Sequence, residues 1–172
     1  MKLKLKDIII LSLMSALMTV GDLALEALPN IHLVGVFVVA TTAVYRKYAL
    51  FSIYVYVLIQ GILGGFSLWW IPYLYIWTVL WGMIMLIPQS LSEKIKVILC
   101  IVLCALHGFL FGTLYAPAQA IMFGLDFKGA IAWIAAGLYF DMLHGVGNLV
   151  LGALLIYPTV KILKFNGRYA KG

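Results

Sequence analysis

Six apolar runs, broken by charged residues, proline or glycine, take up most of this chain. They are Ile8–Leu28, Ile31–Tyr45, Tyr48–Leu63, Trp70–Ile87, Ile95–Tyr115 and Phe140–Leu163. Runs of this kind cannot all fit into one buried core. A transmembrane helix needs about 20 predominantly apolar residues, so 172 residues hold about six spans and little else. Composition agrees. Some 65% of the residues are hydrophobic and 10% charged, with mean hydropathy +1.11. A soluble domain has about 45–50% and about 25%. The chain is expected to be an all-α integral membrane bundle of six helices, forming one domain over residues 1–172.

Two runs are expected to be irregular. Ile31–Tyr45 is short, so it runs oblique or crosses incompletely. The stretch Gly129–Phe140 is too much to add to the last span, so residues 117–139 are expected to form a separate apolar segment across the outer face. The N-terminal stretch starts with lysines, as a signal peptide does. Its apolar part is longer than the roughly 7–15 residues of such a segment, so it is expected to be a retained helix. Cys100 and Cys104 fall in an apolar run, where a disulfide framework is not expected.

Orientation follows from lysine and arginine. Lys2, Lys4 and Lys6 precede the first run, and Arg46 and Lys47 separate the second from the third. Lys94 and Lys96 follow the fourth; Lys161, Lys164, Arg168 and Lys171 close the chain. Eleven of the twelve basic residues thus share one side, and only Lys128 has the opposite parity. The positive-inside rule makes that side cytoplasmic, with both termini. The net charge of +6 is then explained by topology, and no nucleic-acid partner is expected. No GxxxxGK[ST] loop is present, so any ATP-driven step belongs to a partner.

Ionisable groups within spans are costly and mark function. On the first helix, Ser12, Ser15, Ala16, Thr19, Asp22 and Glu26 recur at helical spacing, small in the inner half and acidic in the outer. On the last, Gly137, Asp141, His144, Gly145, Asn148 and Gly152 do the same. The stretch "GGFSLWWIPYLYIW" puts Trp70, Tyr73, Trp77 and Trp81 on one face, with Trp69 and Tyr75 off it. Asn30, His32, Gln60, Tyr115 and Gln119 have similar inferred depth. Apolar and aromatic walls with a few placed polar groups describe an outward-facing ligand cavity. Its expected lining is Glu26, Asn30, His32, Gln60, Trp70, Tyr73, Trp77, Asp141, His144 and Asn148. Each piece has a simpler alternative. The aromatics also suit a lipid-interface belt, the polar group on the last helix an interhelical hydrogen-bond cluster, and Asp22 and Glu26 solvation at a helix end. Cys100, Cys104 and His107 share a face without a fourth ligand, so no metal or other cofactor is expected.

The segments "LPNIHLVGVFVV" and "GGFSLWWIPYLYIW", set in six short spans with both ends inside, resemble the substrate-binding S components of energy-coupling factor (ECF) vitamin transporters. The resemblance covers nearly the whole chain. It implies a multi-pass protein of the bacterial plasma membrane that binds one vitamin or vitamin precursor from outside. It also implies docking, through the first helices, onto a transmembrane T component served by two ATPase subunits. Members often carry A-x-x-x-A in the cytoplasmic half of the first helix. Ser12 and Ala16 stand there in this chain, with Ser15 and Thr19 on the same stripe, so small-xxx-small is kept but the first alanine is not. Stacking on Trp77 and Tyr73 beside acidic groups leans toward a donor-bearing heterocycle. The competing reading is an MreD-like membrane scaffold with no small-molecule ligand. An enzyme built on Asp141 and His144 is not expected, because no nucleophile or metal is set beside them.

Overall fold

Inside a bilayer the backbone must satisfy its own hydrogen bonds, and a chain this apolar does so as helices. The computed structural model describes residues 3–166; Lys2, Arg168 and Lys171 lie outside the described residues. Seven α-helices form among them: α1 Leu5–Ala24, α2 Val34–Tyr45, α3 Ala49–Gly64, α4 Tyr73–Met85, α5 Glu93–Phe109, α6 Phe111–Phe123 and α7 Phe127–Asn166. Short 3-10 turns at Arg46–Tyr48 and Leu68–Trp70 join α2 to α3 and lead into α4.

The protein is all-helical and multi-pass. Four helical stretches are long and apolar enough to cross a membrane: α1, the run Val34–Gly64, Leu68–Met85 and α7. A fifth counts if α5 and α6, bent by 41° at Leu110, make one span.

Side-chain bonds set the directions. Ser52 Oγ donates to the Leu11 carbonyl at 2.7 Å near the start of α1, and the Gln60 amide reaches Asp22 near its end, so α1 and α3 run parallel. At the far end of α2, the Arg46 guanidinium donates to the carbonyls of Ile84 (3.4 Å) and Met85 (2.7 Å). The Lys164 ammonium meets Glu93, which pairs the start of α5 with the end of α7. Lys128, beside the α6–α7 turn, stands at the opposite end from these cations.

The outer part of the chain differs from the sequence expectation. Residues 117–139 are not a separate segment lying across the face. Residues 111–123 form α6, and residues 127–139 are the first third of a continuous 40-residue α7. At 1.5 Å per residue, α7 is about 60 Å long, twice the hydrocarbon thickness of about 30 Å. Dividing apolar length by one bilayer therefore broke a helix that has no breaker before Pro158. Pairing keeps it whole: α6 and α7 run antiparallel, with the Tyr115 and Trp133 rings stacked at 5.7 Å. Lower down, α5 and α7 meet at Gly108 and Gly145, where a β-carbon on Gly108 would lie 2.9 Å from the Gly145 backbone. Small residues permit this approach, as helix association in lipid requires. The first span also ends earlier than expected, at Ala24 rather than Leu28, and α4 begins at Tyr73 after a 3-10 turn.

Candidate functional site: a closed ring of aromatic and imidazole side chains

All three histidines of the chain converge on one indole. Trp77, in the middle of α4, has ring centroids around it at 5.7 Å (His32), 5.7 Å (His107), 5.8 Å (Phe111), 5.9 Å (Tyr73) and 6.1 Å (Tyr56). His144 closes the ring from α7, 4.5 Å from His32 and 4.8 Å from Phe111. Most of these contacts are edge-on or tilted, the arrangement that aromatic quadrupoles favour. Helices α3, α4, α5, α6 and α7 and the segment before α2 each contribute at least one ring.

The cluster is packed shut. Trp77 and His144 are each 1% exposed, so these residues do not border an open outward cavity in this structure. A cleft of about 170 Å³ lies instead at the basic end, lined by Arg46, Glu93, Lys96 and Lys164 among others.

Polar atoms within and beside the ring lack hydrogen-bond partners in the protein: Trp77 Nε1, His32 Nδ1, His107 Nδ1, His144 Nε2, Asp141 Oδ2 and Asn148 Oδ1. Native proteins pair nearly all such groups, and each one left alone costs about 1–3 kcal/mol. The bonds that do exist define the chemistry on offer. His107 Nε2 lies 3.1 Å from the Ile76 carbonyl, which only accepts, so that nitrogen carries the proton. In the neutral ring Nδ1 is then a bare acceptor. Asn148 donates through Nδ2 to the Cys104 carbonyl at 3.2 Å, leaving its oxygen. The unpartnered set thus holds two fixed acceptors (His107 Nδ1 and Asn148 Oδ1), one fixed donor, and a carboxyl oxygen and two imidazole nitrogens of either role.

Asp141 has a structural task as well. Its Oδ1 accepts the Gly112 N–H at 2.9 Å, capping the first turn of α6 from a different helix. That N–H is one of the four a helix leaves unpaired at its start, and a carboxylate suits the positive end of the dipole. The approach is close: a β-carbon on residue 112 would stand 2.6 Å from Asp141 Oδ2 and push the carboxyl aside.

The expected site residues divide as follows. His32, Tyr73, Trp77 and His144 are in ring contact, and Asp141 and Asn148 lie one turn to either side of His144. Trp70 sits in the 3-10 turn and donates to the Val57 carbonyl at 2.7 Å. Gln60 and Tyr56 both donate to Asp22, Tyr56 at 3.0 Å, so that acid is held in the α1–α3 contact. Asn30 forms the turn before His32, with φ 56°. Glu26 is exposed in the irregular stretch after α1, so the helical stripe does not reach it. Trp81 belongs to the basic end, where its Nε1 donates to the Arg46 carbonyl at 3.1 Å.

The first-helix stripe also splits. Ser15 and Thr19 are buried, and Ser15 Oγ donates to the Ser52 carbonyl at 3.0 Å; Ser12 and Ala16 are exposed. Tyr75, off the aromatic face, is half-buried and donates to the Leu114 carbonyl at 2.7 Å. Tyr56, His107 and Phe111 were not among the expected site residues. The face shared by Cys100, Cys104 and His107 was the only hint of His107, and nothing pointed to Tyr56 or Phe111. The chain matches no protein-family model, no curated protein and no solved structure.

Proposed function

We propose that this chain is the substrate-binding S component of an ECF-type transporter: six passes, both ends cytoplasmic, one vitamin-type ligand taken from the outer side and no chemistry of its own. The observation that supports this reading is the cluster around Trp77, where unpartnered polar atoms lie among packed rings. A ligand that inserts a flat ring beside Trp77 and supplies the missing partners offsets the cost those atoms carry. Two fixed acceptors and a carboxyl group against one fixed donor favour a donor-rich ring, such as an amino-substituted heterocycle, over a carboxylate. A scaffold has no use for such a cluster.

The resemblance in "LPNIHLVGVFVV" and "GGFSLWWIPYLYIW" supplies the partners: a T component and two ATPase subunits. Ser12 and Ala16, small and exposed on α1, are the surface proposed for docking.

The test is tryptophan fluorescence of the purified protein titrated in turn with riboflavin, thiamin, its aminopyrimidine precursor, biotin, folate and pantothenate. One saturable ligand is expected, and its signal is lost in Trp77→Phe. If none of them binds and the protein purifies with cell-wall machinery, the scaffold reading replaces this one.

A further inference from the structure

The cleft at the basic end takes no part in the reading above, and its lining has two parts. The rim carries Arg46, Lys96 and Lys164 with a single carboxylate, Glu93, an excess of two positive charges. The floor is apolar: Cys100, Ile156 and Val160 are all nearly or fully buried. Glu93 meets Lys96 at 2.7 Å and also meets Lys164, which holds both ammonium groups at the mouth.

Arg46 reaches the cleft from a backbone conformation, φ 52° and ψ −122°, that glycine adopts readily and arginine does not. Such outliers persist where the surroundings need the side chain. Two of its five N–H groups go to the Ile84 and Met85 carbonyls, leaving donors for an oxyanion.

A second depression adjoins the first and shares Ile87 with it. It is a groove between α4 and α5 lined only by Met83, Leu86, Ile87, Pro88, Leu99 and Leu103. From Glu93 to Leu103 is ten residues of α5, about 15 Å along the axis. The groove therefore leads from the charged mouth toward the bilayer interior, as an acyl chain does. Leu86, 82% exposed, leaves it open at the side.

We infer that this end of the protein binds an anionic phospholipid, its phosphate on Arg46, Lys96 and Lys164 and one acyl chain in the α4–α5 groove. Basic recesses between membrane helices on the cytoplasmic side recognise such headgroups, and a free phosphate would leave the apolar groove without a role. The inference does not depend on the identity of the ligand at Trp77, which lies toward the other end.

The experiment is native mass spectrometry of delipidated protein titrated with dioleoylphosphatidylglycerol or dioleoylphosphatidylcholine. Two excess charges at about 1 kcal/mol each correspond to about thirty-fold tighter binding of the anionic lipid. The double variant Lys96→Gln/Lys164→Gln, checked for wild-type melting, is expected to bring that preference below about three-fold. If it does not fold, Lys96→Gln alone is expected to give an intermediate value. Leu103→Trp, which fills the groove, is expected to weaken both lipids and keep their ratio. Equal binding of the two lipids by the wild type overturns the inference, as does an unchanged preference in the lysine variants. Displacement of the bound lipid by millimolar inorganic phosphate would make this a free-anion site and overturn it too.

Discussion

Substituting Gly112 by alanine sets the cap from Asp141 against an added methyl group. The new β-carbon would lie 2.6 Å from Asp141 Oδ2 and 3.1 Å from Oδ1. A relaxed C···O contact is about 3.3 Å or more, so the carboxyl must retreat by about 0.7 Å. That movement opens the 2.9 Å bond to the Gly112 N–H. Overpacking costs about 1–3 kcal/mol and loss of a cap about 0.5–2 kcal/mol. The better helix propensity of alanine returns about 1 kcal/mol, leaving a net loss of about 2 kcal/mol. Asp141→Ala alone loses only the cap, about 1–2 kcal/mol. With Asp141 already gone, the alanine at 112 meets no carboxylate and keeps its propensity gain. The double variant should therefore be about 1 kcal/mol more stable than Asp141→Ala, a coupling of about 3 kcal/mol between the two sites. The measurement is denaturant unfolding of the four proteins in detergent without ligand. Asp141→Asn, which retains the accepting oxygen, should lose less than Asp141→Ala. Additivity within about 0.5 kcal/mol would refute the cap. So would a full loss in Asp141→Asn. A residue serving only the ligand would leave stability unchanged in all of them.

Three further outcomes are expected. Trp77→Ala removes the centre of the ring cluster and should abolish ligand binding, whereas Trp69→Ala should retain most of it; equal losses would put the site elsewhere. Ala16→Leu, on the exposed face of α1, should fold and bind ligand yet fail to support uptake in cells that supply the partner subunits, while Ser15→Leu should destabilise the α1–α3 contact. Normal uptake by Ala16→Leu would remove that face as the docking surface. A cysteine at Asn166 should be labelled by a membrane-impermeant thiol reagent only from the cytoplasm, and one at Lys128 only from outside; labelling of both from the same side would overturn the topology.

Much of this protein was determined by local sequence. Runs of apolar residues must be helices in lipid, whatever they pack against, so helix content and multi-pass character follow from composition and length. The grouping of Arg46, Lys96 and Lys164 at one end could be read from parity in the same way. So could the common face of Tyr73 and Trp77, because both are fixed by 3.6-residue periodicity within one helix. Relations between helices were another matter. Periodicity put Ser12, Ser15, Ala16 and Thr19 on one stripe, but only the position of α3 decides which of them are buried. Nothing local to Leu110 announces the bend there, because it is stabilised by a carboxylate 31 positions later in the chain. Nothing local joins His32, His107 and His144 either. Each is a lone imidazole in an apolar stretch until α5, α7 and the segment before α2 close around Trp77. Gly108 and Gly145 let α5 and α7 approach closely enough for that, and the merit of either glycine depends on the other helix being there.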